Sequence, residues 1–321
     1  MEEEVCVHAM SRVVQRRMLV DERGKKEMGR MLESQAAFAG LGVITFCFLD
    51  NHFHVLLRID PKTAVREVGD EELVMRFRSL YGTKRSSSLG LNAEMLEAVL
   101  QQPGERAERI RTQLKARMGD VSVFMREFKT RFTKWYNETY NSVGTFWAER
   151  FRSVLVEPGS PALRAVAAYI DLNAVRAGLV KDPGDYPFCG LGLAIRGRHK
   201  QIAAYKWLAR RLPLMKNSST TCASRETPEE IFRNHLARIR RQLDIATKAA
   251  LPTQSEAARE RPGTDLVCRE GALGGRQWVQ AFCERGGIMG FLRKRVPRKV
   301  ETIEAAAIHA ARASRTHTAV L

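Results

Sequence analysis

Two periods divide the first part of this chain. Val5 to Val14 (VCVHAMSRVV) alternates in the manner of a strand, and after Asp21 the apolar positions take helical spacing through Met28, Met31, Leu32 and Phe38. Asp21 is suited to cap that helix and Gly40 to stop it. Gly42 to Leu49 (GVITFCFL) is β-branched and aromatic, Asp50-Asn51 is turn chemistry, and apolar character resumes as far as Ile59, so a β-hairpin is predicted. From Pro61 to about Asn141 the pattern is helical, with soft breaks at GTKRSSSLG (Gly82 to Gly90) and at Gln102-Pro103-Gly104. Phe124, Phe128, Phe132 and Trp135 recur there at helical spacing among Arg126, Lys129, Arg131 and Lys134. Such aromatics can stack on bases, but a stripe of this kind is more often core and is assigned to the core. Thr145 to Glu157 (TFWAERFRSVLVE) returns to strand character, and Ser160-Pro161 opens a helix that runs to Gly178.

The order β-α-β-β-(helices)-β-α is that of a ferredoxin-like α+β fold, an antiparallel sheet with helices on one face. It predicts a domain over residues 1–190 with a helical insertion at about 61–141. Residues 191–321 are expected to form a basic, mainly helical extension, with a helix over Thr227 to Ala249, a linker over Leu251 to Asp265 and a basic cluster at Arg293 to Arg298. No internal repeat is evident.

Charge narrows the partner. The 321 residues carry 53 Lys and Arg against 36 Asp and Glu, a net +17 with a pI near 10, which favours a polyanion and nucleic acid first. No apolar run approaches the roughly 18 residues of a membrane span, and the acidic start MEEEV is no signal peptide, so a cytoplasmic, nucleoid-associated protein is expected. Cys6, Cys47, Cys189, Cys222, Cys268 and Cys283 are scattered without a C-x-x-C pair, and read as ordinary thiols.

Candidate chemistry sits in the hairpin. In CFLDNHFHVLLRI (Cys47 to Ile59), His52 and His54 project side by side from one strand face while Phe53, Val55 and Leu57 point the other way. Neutral imidazole is a common ligand for transition metals, but two ligands do not make a site. On the later helix Tyr169 and Asn173 are spaced i and i+4, with Arg176 near the same stripe. The amide oxygen of Asn173 can ligate Mg²⁺ or Mn²⁺, provided this helix packs beside the hairpin. Spacing alone leaves open a half-buried tyrosine and a surface amide.

Asp50-Asn51-His52-Phe53-His54-Val55-Leu56-Leu57 resembles the Pro-Asn-His-x-His-hydrophobic pattern of the single-tyrosine HUH transposases, specifically the REP-associated tyrosine transposases and their insertion-sequence relatives, with Asp50 in place of proline. Tyr169-Ile170-Asp171-Leu172-Asn173-Ala174-Val175-Arg176-Ala177-Gly178-Leu179-Val180 resembles that family's helix, Asp171 replacing a frequent histidine. Asp182-Pro183, Asp185-Tyr186-Pro187, FWAERFRSVLVE and the first-strand HAMSR (His8 to Arg12) extend the likeness over roughly Val5 to Pro187. Ala148-Glu149-Arg150 departs from it, as does the long helical insertion.

The resemblance implies a homodimeric, metal-dependent nuclease and strand transferase that cleaves single-stranded, hairpin-forming DNA through a 5′-phosphotyrosine. Tyr169 would be the nucleophile, His52, His54 and Asn173 the ligands of Mg²⁺ or Mn²⁺, and Arg12, Arg150, Arg152 and Arg176 the DNA contacts. Tyr136 and Tyr140, on the aromatic helix, are assigned to packing. His8 could line the site, although a satisfied strand histidine is the simpler reading. Two other classes fit less of the sequence: a domesticated DNA-binding protein of the same fold, and a His-x-His oxygenase or hydrolase with a further carboxylate or histidine ligand.

Overall fold

The structure is a computed structural model that describes residues 4–60, 68–84, 86, 89–211, 237, 277 and three short backbone segments at 270–274, 298–300 and 308–312. Its centre is an antiparallel sheet of β1 (Val5–Arg12), β2 (Gly42–Phe48), β3 (His52–Ile59) and β4 (Arg152–Val156), in the order β2-β3-β1-β4. That is the ferredoxin-like order. Beyond β4 the sheet continues in parallel with β5 (Glu270–Gly274), which pairs with β7 (Ile308–Arg312), and β6 (Arg298–Val300) closes the edge. The expected helix over Thr227 to Ala249, apart from residue 237, and the linker after it lie outside the described residues, as does the basic cluster except for the backbone of Arg298.

Local signals place the first elements. Asp21 accepts the N–H of Gly24 at 2.7 Å and starts α1 (Glu22–Ala39), which ends on Gly40 at φ 67°. A left-handed residue is cheapest as glycine. The hairpin turns at Asp50-Asn51, as predicted. Asp50 is also paired with the buried ammonium of Lys25 from α1, which ties the turn to the helix.

The two sheet faces have different tenants. Directly paired residues project to the same side. The register Ser11↔Phe53, Ala9↔Val55 and Phe48↔Phe53 therefore defines one face, and Met10↔His54, Arg12↔His52 and Cys47↔His54 the other. On the first face lie α1, where a Cβ at Gly29 would stand 3.9 Å from the Phe48 ring, and α5 (Val121–Tyr140), whose Phe128 meets Phe53 at 5.4 Å. Phe124, Phe128 and Phe132 are fully buried, and Trp135 is half-buried at the end of the stripe. Thus α1 and α5 are the two helices of the β-α-β-β-α-β unit, both on one face.

Between β3 and α5 the helices α2 (Asp70–Tyr81), α3 (Ala93–Leu100) and α4 (Glu105–Lys115) build a separate apolar cluster around Leu73, Phe77, Leu96 and Leu114, joined to α1 through Phe38. Both sequence breaks fall between these helices.

The histidine face is covered by the chain beyond β4. Ser160 caps α6 (Pro161–Asp171) by accepting the N–H of Leu163, with Pro161 in the first turn. After a step at Leu172 comes the short α7 (Asn173–Arg176), then α8 (Gly190–Ile195) and α9 (His199–Arg211). The Tyr186 hydroxyl donates to the carbonyl of Phe48 at 2.7 Å, which fixes the Asp-Tyr-Pro turn on the end of β2. Gly190 lies so close to Thr45 that a Cβ would come within 2.4 Å of its hydroxyl.

Candidate functional site

β3 delivers His52 and His54 to one face, and α6 with α7 lays Tyr169 and Asn173 across them, all within one chain. The His52 and His54 rings are 5.1 Å apart. Tyr169 stands edge-on to His54 at 5.5 Å and to His8 at 6.2 Å. The Asn173 side chain, 7% exposed, hydrogen-bonds the His52 side chain. Its Nδ2 has no hydrogen-bond partner. The expected continuous helix from Ser160 to Gly178 steps at Leu172 (φ −81°, ψ −2°), yet Tyr169 and Asn173 still meet the same histidines.

Both histidines are held neutral. Burial, followed by the Arg12 guanidinium, lowers the pKa of His52 to about 4, with the neighbouring Asn173 side chain opposing the shift. Burial, then the neighbouring His52 and His8, pushes His54 well below the ordinary imidazole range. Each imidazole also spends one nitrogen inside the protein: Nδ1 of His52 on Asn51 Oδ1 at 2.6 Å, and Nδ1 of His54 on Nε2 of His8 at 2.9 Å.

These contacts bear on whether a cation fits. An amide oxygen only accepts, so Asn51 takes the single N–H of neutral His52 and leaves Nε2 as a lone pair on the ring that Asn173 adjoins. Among the described residues there is no group of three His, Cys, Asp or Glu side chains that could hold a metal. The donor set that could hold one is two imidazoles and an amide, a mixture suited to a divalent cation.

The four arginines divide. Arg12 is paired with His52 across β1 and β3. Arg176 is exposed, with its guanidinium 4.7 Å above the Tyr169 ring and a weak contact to the Tyr169 carbonyl at 3.4 Å. Arg152 opens β4 opposite Met10, one strand further from His54, and bonds Glu149 at 2.9 Å. Arg150 is exposed in the irregular segment before that strand. The strand expected over Thr145 to Glu157, which would have held both Arg150 and Arg152, is therefore corrected to a shorter one. Trp147 forms only an isolated bridge to Val13, and β4 itself starts at Arg152.

No protein-family model matches the chain, and no curated protein matches it either. Among solved structures, the chain is similar to a REP-associated tyrosine transposase bound to a REP hairpin, at 12% identity and a TM-score of 0.34, over 60% of this chain and 80% of that one. A likeness at this level leaves the reading of the site to the chain's own geometry.

Sequence reasoning undervalued His8. It is fully buried, meets His54 edge to edge with centroids 5.1 Å apart and rings 27° from parallel, and adjoins the Tyr169 ring. The available signal was strand alternation, since His8 and Arg12 share a face of β1. Elsewhere, an apolar groove of about 390 Å³ between α1, β2 and α9 is lined by Arg58, from the far end of β3, and by Trp207, and holds none of the residues above.

Proposed function

We propose that this chain is a metal-dependent single-stranded DNA endonuclease and strand transferase of the transposase kind, acting through a phosphotyrosine. The observation that carries the reading is the meeting of Tyr169, His52, His54 and Asn173, from a hairpin and a helix more than a hundred positions apart, on one face of a strongly basic protein. His52, His54 and Asn173 would hold Mg²⁺ or Mn²⁺, which when bound neutralises phosphate charge.

The chain's own residues do the rest. The Tyr169 oxygen attacks phosphorus, the bond from phosphorus to the 3′ oxygen breaks, and the 5′ phosphate stays on the tyrosine. The phenol loses its proton to solvent or a nearby base, and the departing 3′ oxygen gains one. A second 3′ hydroxyl reverses the step and rejoins strands without an external energy source. Arg176 holds a positive charge beside the ring on which phenolate charge develops, and Arg12 places another beside His52. Packing of α6 against β3 supplies the positioning.

The test is incubation of labelled single-stranded hairpin oligonucleotides with Mg²⁺ or Mn²⁺, followed by denaturing gels. A covalent adduct that disappears in Tyr169→Phe supports the reading. Binding of the same oligonucleotides with no adduct under either metal would instead favour a non-catalytic DNA-binding protein. Alanine at His52 or His54 should remove metal-dependent cleavage while leaving most DNA affinity, because the basic surface remains.

A further inference from the structure

The contact between His8 and His54 has a direction. Between two neutral imidazoles one nitrogen donates and the other accepts. If His8 donated, the single proton of His54 would sit on Nε2, and that nitrogen would have no lone pair to offer. If His54 donates through Nδ1, its Nε2 is available as a ligand. The neighbouring histidine supplies a parallel: Nδ1 of His52 lies 2.6 Å from Asn51 Oδ1, an atom that only accepts, so His52 donates through Nδ1 and keeps Nε2 as a lone pair.

We propose that His8 is the corresponding acceptor for His54, a positioning residue that fixes the Nδ1–H tautomer and presents Nε2 toward the cation site. This inference rests on the metal reading given above. His8 is fully buried and stands opposite Leu56, diagonal to His54 across β1 and β3, with the two rings 27° from parallel at 5.1 Å. A rigid pair of central strands thus fixes both partners. Ligating histidines generally bond a carboxylate, carbonyl or water through their other nitrogen. Here a third imidazole takes that place, and it also meets the Tyr169 ring at 6.2 Å, so one buried side chain orients both a ligand and the wall beside the nucleophile.

Two measurements on the full chain test this without using activity. Long-range ¹⁵N–¹H correlation on the metal-free protein should show His54 protonated at Nδ1, and protonation at Nε2 would overturn the proposal. Mn²⁺ titration of the wild type, His8→Gln and His8→Leu should show near-wild-type affinity for Gln, which keeps an oxygen acceptor. For Leu, which fills the space without an acceptor, affinity should fall about tenfold to a hundredfold. Equal binding by wild type and His8→Leu would overturn the role of His8. If the wild type itself took up no Mn²⁺, the metal reading of the site would fail, and with it the purpose assigned to the tautomer. Should His8→Leu not fold, His8→Gln and the wild-type spectrum still decide: loss of affinity in a folded His8→Gln protein counts against an acceptor role.

Discussion

Three tyrosines compete for the nucleophile's role at the residue scale, and their surroundings separate them. Tyr136 and Tyr140 lie 4.6 Å apart at the end of α5, and the Tyr140 hydroxyl is bonded to Asp21 at 2.7 Å. Burial, reinforced by that bond, pushes Tyr140 up to about 12. A phenol tied to a carboxylate is a poor phenolate, so Tyr136→Phe and Tyr140→Phe should each retain the adduct on denaturing gels, and its loss in either would move the nucleophile to α5. The histidines make a second prediction. An unfolded imidazole titrates near 6.5, whereas folded His52 titrates at about 4 and His54 shifts in the same direction. Between those values the unfolded chain binds more protons than the folded one, so stability is present above pH 6.5 and is lost as pH falls towards 4. Thermal melts in chelator should show the midpoint dropping through that window, and a flat midpoint would mean that the imidazoles are solvated.

Among elements, α6 matters most, because it carries Tyr169 and leads into Asn173. Its last residue, Asp171, is fully buried, and its carboxylate accepts from Thr45 of β2 at 2.6 Å and from Tyr205 of α9 at 2.7 Å, while the two hydroxyls lie 2.9 Å apart. The helix end is therefore clamped between an edge strand and a later helix. Tyr205→Phe removes one donor from a buried carboxylate and should destabilise the protein by about 1–3 kcal/mol in urea titrations. It should also slow adduct formation more than it weakens DNA binding; unchanged stability would show that the network is not shared. None of this was legible in the sequence, where Asp171 was only a departure from a family pattern. The hairpin, the caps at Asp21 and Ser160 and the stop at Gly40 were legible because their causes lie within a few residues. Thr45, Asp171 and Tyr205 are joined across 126 and 160 positions, and single polar contacts leave no periodic trace. The strand read over Thr145 to Glu157 shrank to five residues for a related reason: local β propensity was present, but β1 ends at Arg12 and offers only an isolated bridge to Trp147.

For the whole molecule, the net charge of +17 and the placement of the site together set how DNA should bind. Helices α6, α8 and α9 pack on β2, while Arg12 lies beside His52, Arg176 stands exposed over Tyr169, and Arg150 is exposed before β4. A duplex presents its phosphates to such a surface but keeps its bases stacked, whereas a single strand beside a hairpin can enter with its backbone flexible. Affinity for a hairpin with a single-stranded flank should therefore exceed that for a blunt duplex of equal length, and both should weaken steeply with salt as bound cations are released from the DNA. If Arg150 contacts one phosphate of the flank, Arg150→Ala should reduce the slope of log affinity against log salt by about 0.7, without altering the preference for the hairpin. The same slope in wild type and variant would remove Arg150 from the DNA path, and equal affinity for duplex and hairpin would count against a single-stranded substrate for the whole protein.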